Sequence, residues 1–379
     1  MPTEHHWENY VLIKPKLLLG ISIGTFCVTT EPLSHRLLIR SSFISTIICL
    51  LSGALHVKRT FEGQITGNLA ISVIACIVCV QIISRTFLLR YHRNNLLELL
   101  DRVQSLYTSF ENEKINLIAE RNLTKFSNIW TICFKFGIVL ISLASTTLTI
   151  FNSFKGEDGV MVEVPLIPTD IPYYVEIMLL IQIIYTGFAV TSIFYTDISI
   201  AFFGFELMAA SDIIYDYISD NKNRIEEEPD FLKIVTIRYC SIMDNINRFN
   251  DIFSITNLVQ FVTSAFLSFA IFFLIRLYPT NPVGYLLAMV TIVQLFLHCI
   301  FGEFIKLKME RLSGTLYSTN WYDLTLKNKR SFLIVLGMSQ KEYGLRAAKI
   351  HGSETVYLQT IRIFSLLAKS WFTISHFIL

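Results

Sequence analysis

Three cationic side chains near the end of the chain, Arg362, Lys369 and His376, recur every seven residues, so they share one face of a helix. Leu367, Trp371, Ile374 and Ile378 follow spacings of three, four and seven on roughly the opposite face. If this helix lines a path for cations, the basic stripe would repel the ion. The apolar face is then the one turned inward, and a ring of Ile374 and Ile378 side chains from several chains would close the path by excluding water. Ordinary packing against neighbouring helices is the competing reading of the same spacing. Charges inside other apolar runs include Arg85, Asp197 and Glu303. Burying them in lipid is costly, which makes them functional candidates. Asp197 is expected to pair with a basic residue of a neighbouring helix. Arg85 and Glu303 are expected to snorkel to the nearer face.

A second constellation mixes apolar, aromatic and hydroxyl side chains at similar depth. It comprises Ser72 and Cys76; Ser142, Ser145, Thr146 and Thr149; Tyr174, Ile177, Met178, Ile181 and Tyr185; and Tyr285, Met289 and Val293, with Phe269, Phe272 and Phe273 alongside. A mostly apolar cavity with a few hydroxyls suits a small, volatile, semi-polar molecule; helix packing is again the alternative. Cys76-x-x-Cys79 has a metal or redox spacing but no second pair, and its ordinary role is small apolar filler. No phosphate-cradling glycine loop, His-Glu-x-x-His or G-x-S-x-G motif is present. No catalytic residue, metal, cofactor or nucleic-acid partner is therefore expected.

The elements that must position these residues follow from composition. Hydrophobic residues make up 53% of the 379 and charged residues only 16%, against about 25% charged in soluble domains. The chain reads as an all-α integral membrane protein, because backbone groups in lipid must be paired internally. Spans of about 20 residues are expected at Leu37–Val57, Gly67–Arg90, Ser127–Phe151, Tyr173 to beyond Phe205, Asp251–Leu277, Tyr285–Leu307 and Val356–Leu379. An amphipathic helix, Leu312–Leu336, precedes the seventh. The expected organisation is an N-terminal segment, 1–36; helices one to four as a ligand-binding bundle, 37–206; an extension of helix four with its loop, 207–250; helices five and six, 251–309; an anchor helix and loop, 310–353; and a pore-lining helix, 354–379.

Basic residues concentrate after spans two, four and six: Arg90 to Lys125, Lys222 to Arg248, and Lys306 to Lys349. The positive-inside rule then places the N-terminus in the cytosol and the C-terminus outside. The sequon Asn122-Leu123-Thr124 becomes cytoplasmic and is expected to stay unmodified. No secretory signal peptide is expected, because Lys14, Pro15, Lys16 and Gly20 interrupt the first apolar run. All nine prolines are expected in tails or loops, leaving the helices unkinked. The acidic, proline-rich loop Lys155–Pro172 is read either as a lid or as a solvated connector.

The C-terminal segment resembles the signature of the insect odorant receptor family. The residues that carry the resemblance are Tyr317, Trp321-Tyr322-Asp323-Leu324, Lys329-Arg330, Met338-Ser339-Gln340-Lys341, Ala347-Ala348 and Ser370-Trp371-Phe372. The gap between Met338 and Ser339 is shorter than in many members. Thr360-Ile361 stands where Thr-Phe is common, and a lysine common in the family about one turn before Lys369 has no counterpart. The resemblance implies a tetrameric, ligand-gated, non-selective cation channel in the plasma membrane of olfactory sensory neurons, opened by a small volatile odorant. It implies a shared co-receptor subunit as partner, beside membrane lipid and the permeating cations. It puts Tyr317, Trp321 and Tyr322 in a subunit anchor, and Ser370, Thr373, Ile374 and Ile378 along the pore, with the gate at Ile374. It places the odorant among spans two, three, four and six. The co-receptor carries a long insertion between spans four and five; Asp212–Asn247 is short, which implies an odorant-tuned subunit. The alternative is a seven-span G-protein-coupled chemoreceptor, which the inside N-terminus and the lack of proline kinks in spans five to seven disfavour.

Overall fold

In the computed structural model the described residues are 4–25, 33–61, 66–105, 113–153, 171–223 and 230–340, with isolated positions at 160, 164, 167, 168 and 225. Among them the secondary structure is helical. The α-helices are α1 (Glu4–Thr25), α2 (Leu33–Thr60), α3 (Gly67–Tyr91), α4 (Arg93–Ser105), α5 (Glu113–Ser153), α6 (Tyr174–Asn221), α7 (Phe231–Leu277), α8 (Pro282–Tyr317) and α9 (Leu326–Ser339), with a 3-10 turn at Trp321–Asp323. Among the described residues, five stretches are long and apolar enough to cross a membrane: Ile39–Arg59 within α2, and α3, α6, α7 and α8. The third expected span lies inside α5, and the seventh, Val356–Leu379, lies outside the described residues.

Local chemistry starts several of these helices. Thr66 caps α3, its hydroxyl accepting from the Leu69 N–H at 3.2 Å. Asn281 caps α8 by accepting from the Val283 N–H at 3.1 Å, and Pro282 follows at the first helical position, where its missing N–H costs nothing. With 48 residues, α6 is about 72 Å long at 1.5 Å per residue, more than twice the roughly 30 Å hydrocarbon core. The 47 residues of α7 behave likewise. Both run far past a bilayer and meet at 222–230. There the main core forms: Tyr217, Phe231, Tyr239, Phe249 and Phe253 are fully buried among side chains of α4, α5, α8 and α9. We call this the wide end of the bundle. It is also the basic end, expected in the cytosol. Arg102 and Arg248 each bridge Glu98 and Asp244 there, joining α4 to α7.

Close approach of α5 to α6 needs a residue without a side chain. A Cβ at Gly137 would lie 2.3 Å from the Phe194 ring, and that ring is held against Phe134 and Tyr195. Small residues at helix crossings in this way let backbones approach where lipid supplies no hydrophobic drive.

Three expectations change. Pro15 lies inside α1, not in an irregular tail. An interior proline costs about 3 kcal/mol, but Ile13, Leu17, Ile21 and Ile23 are buried, each stabilising by about 1.5–3 kcal/mol. Gly20 brings α1 against Tyr195 and Ser199 of α6. The stretch Leu312–Leu336 is not one helix. It breaks at Ser318-Thr319-Asn320, where Ser318 and Thr319 hydroxyls donate to Thr315 and Leu316 carbonyls. The Asn320 N–H turns away to the Lys222 carbonyl at 3.2 Å. Such polar side chains offer the backbone an alternative to helix. Most of Asp212–Asn247 is helical, so the connection between α6 and α7 is shorter than the sequence suggests.

Candidate functional site

At the opposite end of the bundle, α3 and α7 pack antiparallel. Ala70, Ile71 and Ile74 of α3 bury against Leu267, Ile271 and Leu274 of α7, and Tyr185 of α6, Leu287 and Ala288 of α8 and Cys49 of α2 close around them. Each residue follows from helical spacing: 267, 271 and 274 are one face of α7, and 70, 71 and 74 one face of α3. The result is an apolar cluster with two phenols, Tyr185 and Tyr278, at its margin. Dispersion and shape would govern what it accepts, with a phenol supplying a directional bond.

The expected site residues divide. Tyr185 joins the cluster. Met178 is fully buried one and a half to two turns earlier on α6, while Tyr174 and Ile181 are half-buried and Ile177 is exposed. Ser72 is buried, and its hydroxyl donates to the Asn68 carbonyl of its own helix at 2.8 Å. Cys76 instead faces a groove of about 410 Å³ between α2, α3 and α7, lined also by Val73, Val80, Thr263 and Phe266. Tyr285 and Met289 are 52% and 62% exposed, so α8 turns them away from the cluster and presents Leu287 and Ala288 instead. Phe269 and Phe272 also face outward. Ser142, Ser145, Thr146 and Thr149 lie on α5, where the description covers backbone alone. Ser370, Thr373, Ile374 and Ile378 lie outside the described residues.

Below the cluster, toward the wide end, the seam between helices turns polar. Arg85 of α3 is 3% exposed and is bonded through Nη2 to Asp197 Oδ1 of α6, which is 17% exposed. Gln294 Nε2 of α8 donates to the other Asp197 oxygen at 2.9 Å. One turn up α3, Gln81 Nε2 donates to Gln260 Oε1 of α7 at 2.5 Å, and Gln260 Nε2 donates to Ser264 Oγ at 3.1 Å. Asp197 thus finds its expected basic partner. Arg85 does not snorkel: the neighbouring helices cover it, and a carboxylate meets it. Sequence reasoning passed over Gln81, Gln260 and Gln294 because it scored only charges. Their signal was there: Gln81 and Arg85 share a face of α3, and Gln260 continues the apolar face of α7. Lys135 was also missed; it sits on the exposed side of α5 within the third expected span.

At the wide end Trp321 stacks on Phe332 of α9, 6.1 Å between centroids and 10° between planes. Ser313 and Ser339 hydroxyls meet at 3.0 Å. Tyr317 and Tyr322 are exposed, as are Leu326, Leu333 and Ile334. Trp321 thus has a packing partner within the chain, whereas the two tyrosines are exposed.

Residues 66–363 match the family model described as 7tm Odorant receptor. Solved structures that share the fold include two olfactory receptor structures. The olfactory receptor OR5 from Machilis hrabei in complex with eugenol superposes with a TM-score of 0.78 at 11% identity, over 98% of this chain and 100% of that one. A second structure of OR5 from Machilis hrabei gives 0.72 at 12% identity, over 98% and 99%. Among curated proteins, none matches the sequence. A multi-pass helical bundle with this C-terminal signature, matched by one family model over most of its length, belongs to the 7tm odorant receptor family.

Proposed function

We propose that this chain is the odorant-tuned subunit of a heteromeric, ligand-gated, non-selective cation channel, opened by a small volatile ligand bound in the half of the bundle that holds Tyr185. The observation that carries the reading is family membership over residues 66–363, joined to a fold shared along 98% of the chain with an olfactory receptor in complex with eugenol. The apolar cluster with Tyr185 at its edge supports a semi-polar ligand of low molecular weight. Tyr174, Met178 and Ile181 of α6 lie on the ligand's approach, with Ser142, Ser145, Thr146 and Thr149 of α5 supplying further hydroxyls and Cys76 in the neighbouring groove between α2, α3 and α7.

The uncovered surface of Tyr317, Tyr322, Leu326, Leu333 and Ile334 supports burial against other subunits, the co-receptor among them, because soluble surfaces seldom leave so many large apolar side chains together. The pore runs along the last helix, with Ser370 and Thr373 on its wall and Ile374 and Ile378 closing it by excluding water. Both the basic loops and the wide end face the cytosol, the N-terminus is inside, and the receptor acts in the plasma membrane of olfactory sensory neurons.

The experiment is co-expression with the co-receptor and an odorant panel, recording whole-cell current with and without G-protein block. Currents that survive the block are expected, and Ile374→Ala is expected to raise the basal leak or alter ion permeability. Responses abolished by the block, with no conductance of their own, would instead favour a G-protein-coupled receptor. An extracellular tag signal from the N-terminus would overturn the orientation.

A further inference from the structure

The seam between α3 and α7 has a register that can be followed turn by turn. Ile71 and Ile74 pack with Ile271 and Leu267, and one to two turns on, Gln81 bonds Gln260. The helices are antiparallel, so a further turn brings α3 to Arg85 and α7 back to Thr256 and Asn257. Arg85, Thr256 and Asn257 stand at one level with Gln81 a turn above, and all are at least nine-tenths buried: Gln81, Arg85, Thr256 and Asn257 are 0, 3, 1 and 4% exposed.

Their hydrogen bonding is incomplete. Arg85 uses Nη2 on Asp197, but Nε and Nη1 have no protein partner among the described residues. Neither do Gln81 Oε1, Thr256 Oγ1 and Asn257 Oδ1. Two nitrogens with N–H groups to give and three oxygens able to accept therefore lie on one seam, inside helices that cross the membrane. Leaving all five unbonded in a dry interior would cost a sum comparable with the whole stability of a domain.

We propose that this level of the α3–α7 seam is a water-binding site, in which one or more water molecules bridge Arg85 Nε and Nη1 and Gln81 Oε1 to Thr256 Oγ1 and Asn257 Oδ1. The ligand must both donate and accept, since it faces guanidinium N–H groups on one side and neutral oxygens on the other. A metal ion would meet the Arg85 charge. An anion would meet Asp197, bound to the same guanidinium. The α7 side chains at this level, Thr256 and Asn257, are short, whereas Ile252 one turn further in is bulky and buried, so room beside Arg85 falls at the polar level. The inference is independent of the channel reading.

Radiolytic hydroxyl labelling of the full chain in lipid nanodiscs tests it, because bound water delivers hydroxyl radicals to side chains that bulk solvent does not reach. Leu89 and Ile252, buried next to the level on its inner side, are expected to label faster than the equally buried Ile71 and Ile271 on the outer side. Background labelling at all four residues means a dry seam and overturns the proposal. Thr256→Val, similar in shape, supplies a second readout. It strands the bridging water and is expected to lower the melting temperature. An unchanged or raised melting temperature, as expected when an unbonded hydroxyl is removed, overturns the assignment of Thr256 to the site.

Discussion

Asp197→Ala isolates the electrostatics of the bundle interior. In the native chain the Arg85 guanidinium is almost wholly buried and its charge is met by Asp197, itself anchored by Gln294. Removing the carboxylate leaves an uncompensated cation between helices. Breaking a buried pair from one side costs about 3–5 kcal/mol. A loss of at least ~3 kcal/mol is therefore expected, read as unfolding free energy in mixed detergent micelles and as reduced surface expression. The paired substitution Arg85→Met with Asp197→Leu removes both charges and retains volume. It is expected to recover most of the loss, since apolar replacement of a whole buried pair is often neutral or stabilising. Arg85→Met and Asp197→Leu, made singly and together, form a cycle whose coupling energy belongs to the pair. A cost under about 1 kcal/mol for Asp197→Ala, the range of exposed pairs, would refute the burial argument. So would a double variant no better than the worse single one.

Gly137→Val is expected to lose about 1–3 kcal/mol through overpacking, because a Cβ there meets the Phe194 ring at 2.3 Å; Phe194→Ala in the same background should return part of it in a thermal-shift assay. Phe332→Ala, at a buried ring stacked on Trp321, is expected to cost about 3–5 kcal/mol in the unfolding of the single chain. Tyr322→Ala, 63% exposed, should leave that stability within about 0.5 kcal/mol and instead reduce assembled complex on a native gel. The Asn122 amide donates to the Ile118 carbonyl at 3.1 Å and to Asp216 Oδ2 at 2.9 Å, and is buried. Deglycosidase treatment is therefore expected to leave the mobility of the chain unchanged, whichever side of the membrane it faces.

The helical class and the positions of most apolar spans were legible in the chain itself. Twenty-residue apolar runs can satisfy their backbones in lipid only by coiling, so hydropathy fixes element type and approximate length. The C-terminal signature carried the family. Local chemistry was legible where it was one-sided: Thr66 and Asn281-Pro282 start helices because only their own neighbours are involved. Other features depend on what lies opposite, which no run of residues contains. Arg85 looks able to snorkel until α6 and α8 close around it. Pro15 looks like a breaker until α6 supplies a face worth the lost bond. Tyr285 and Met289 look like pocket residues until the rotation of α8 presents Leu287 and Ala288 in their place. Gln81 and Gln260 are unremarkable 179 positions apart. In the folded chain they are one hydrogen bond, because α3 and α7 run antiparallel and their register sets polar level against polar level. Periodicity gives each helix a face, but the rotation and partner of that face are decided by packing among all the helices at once.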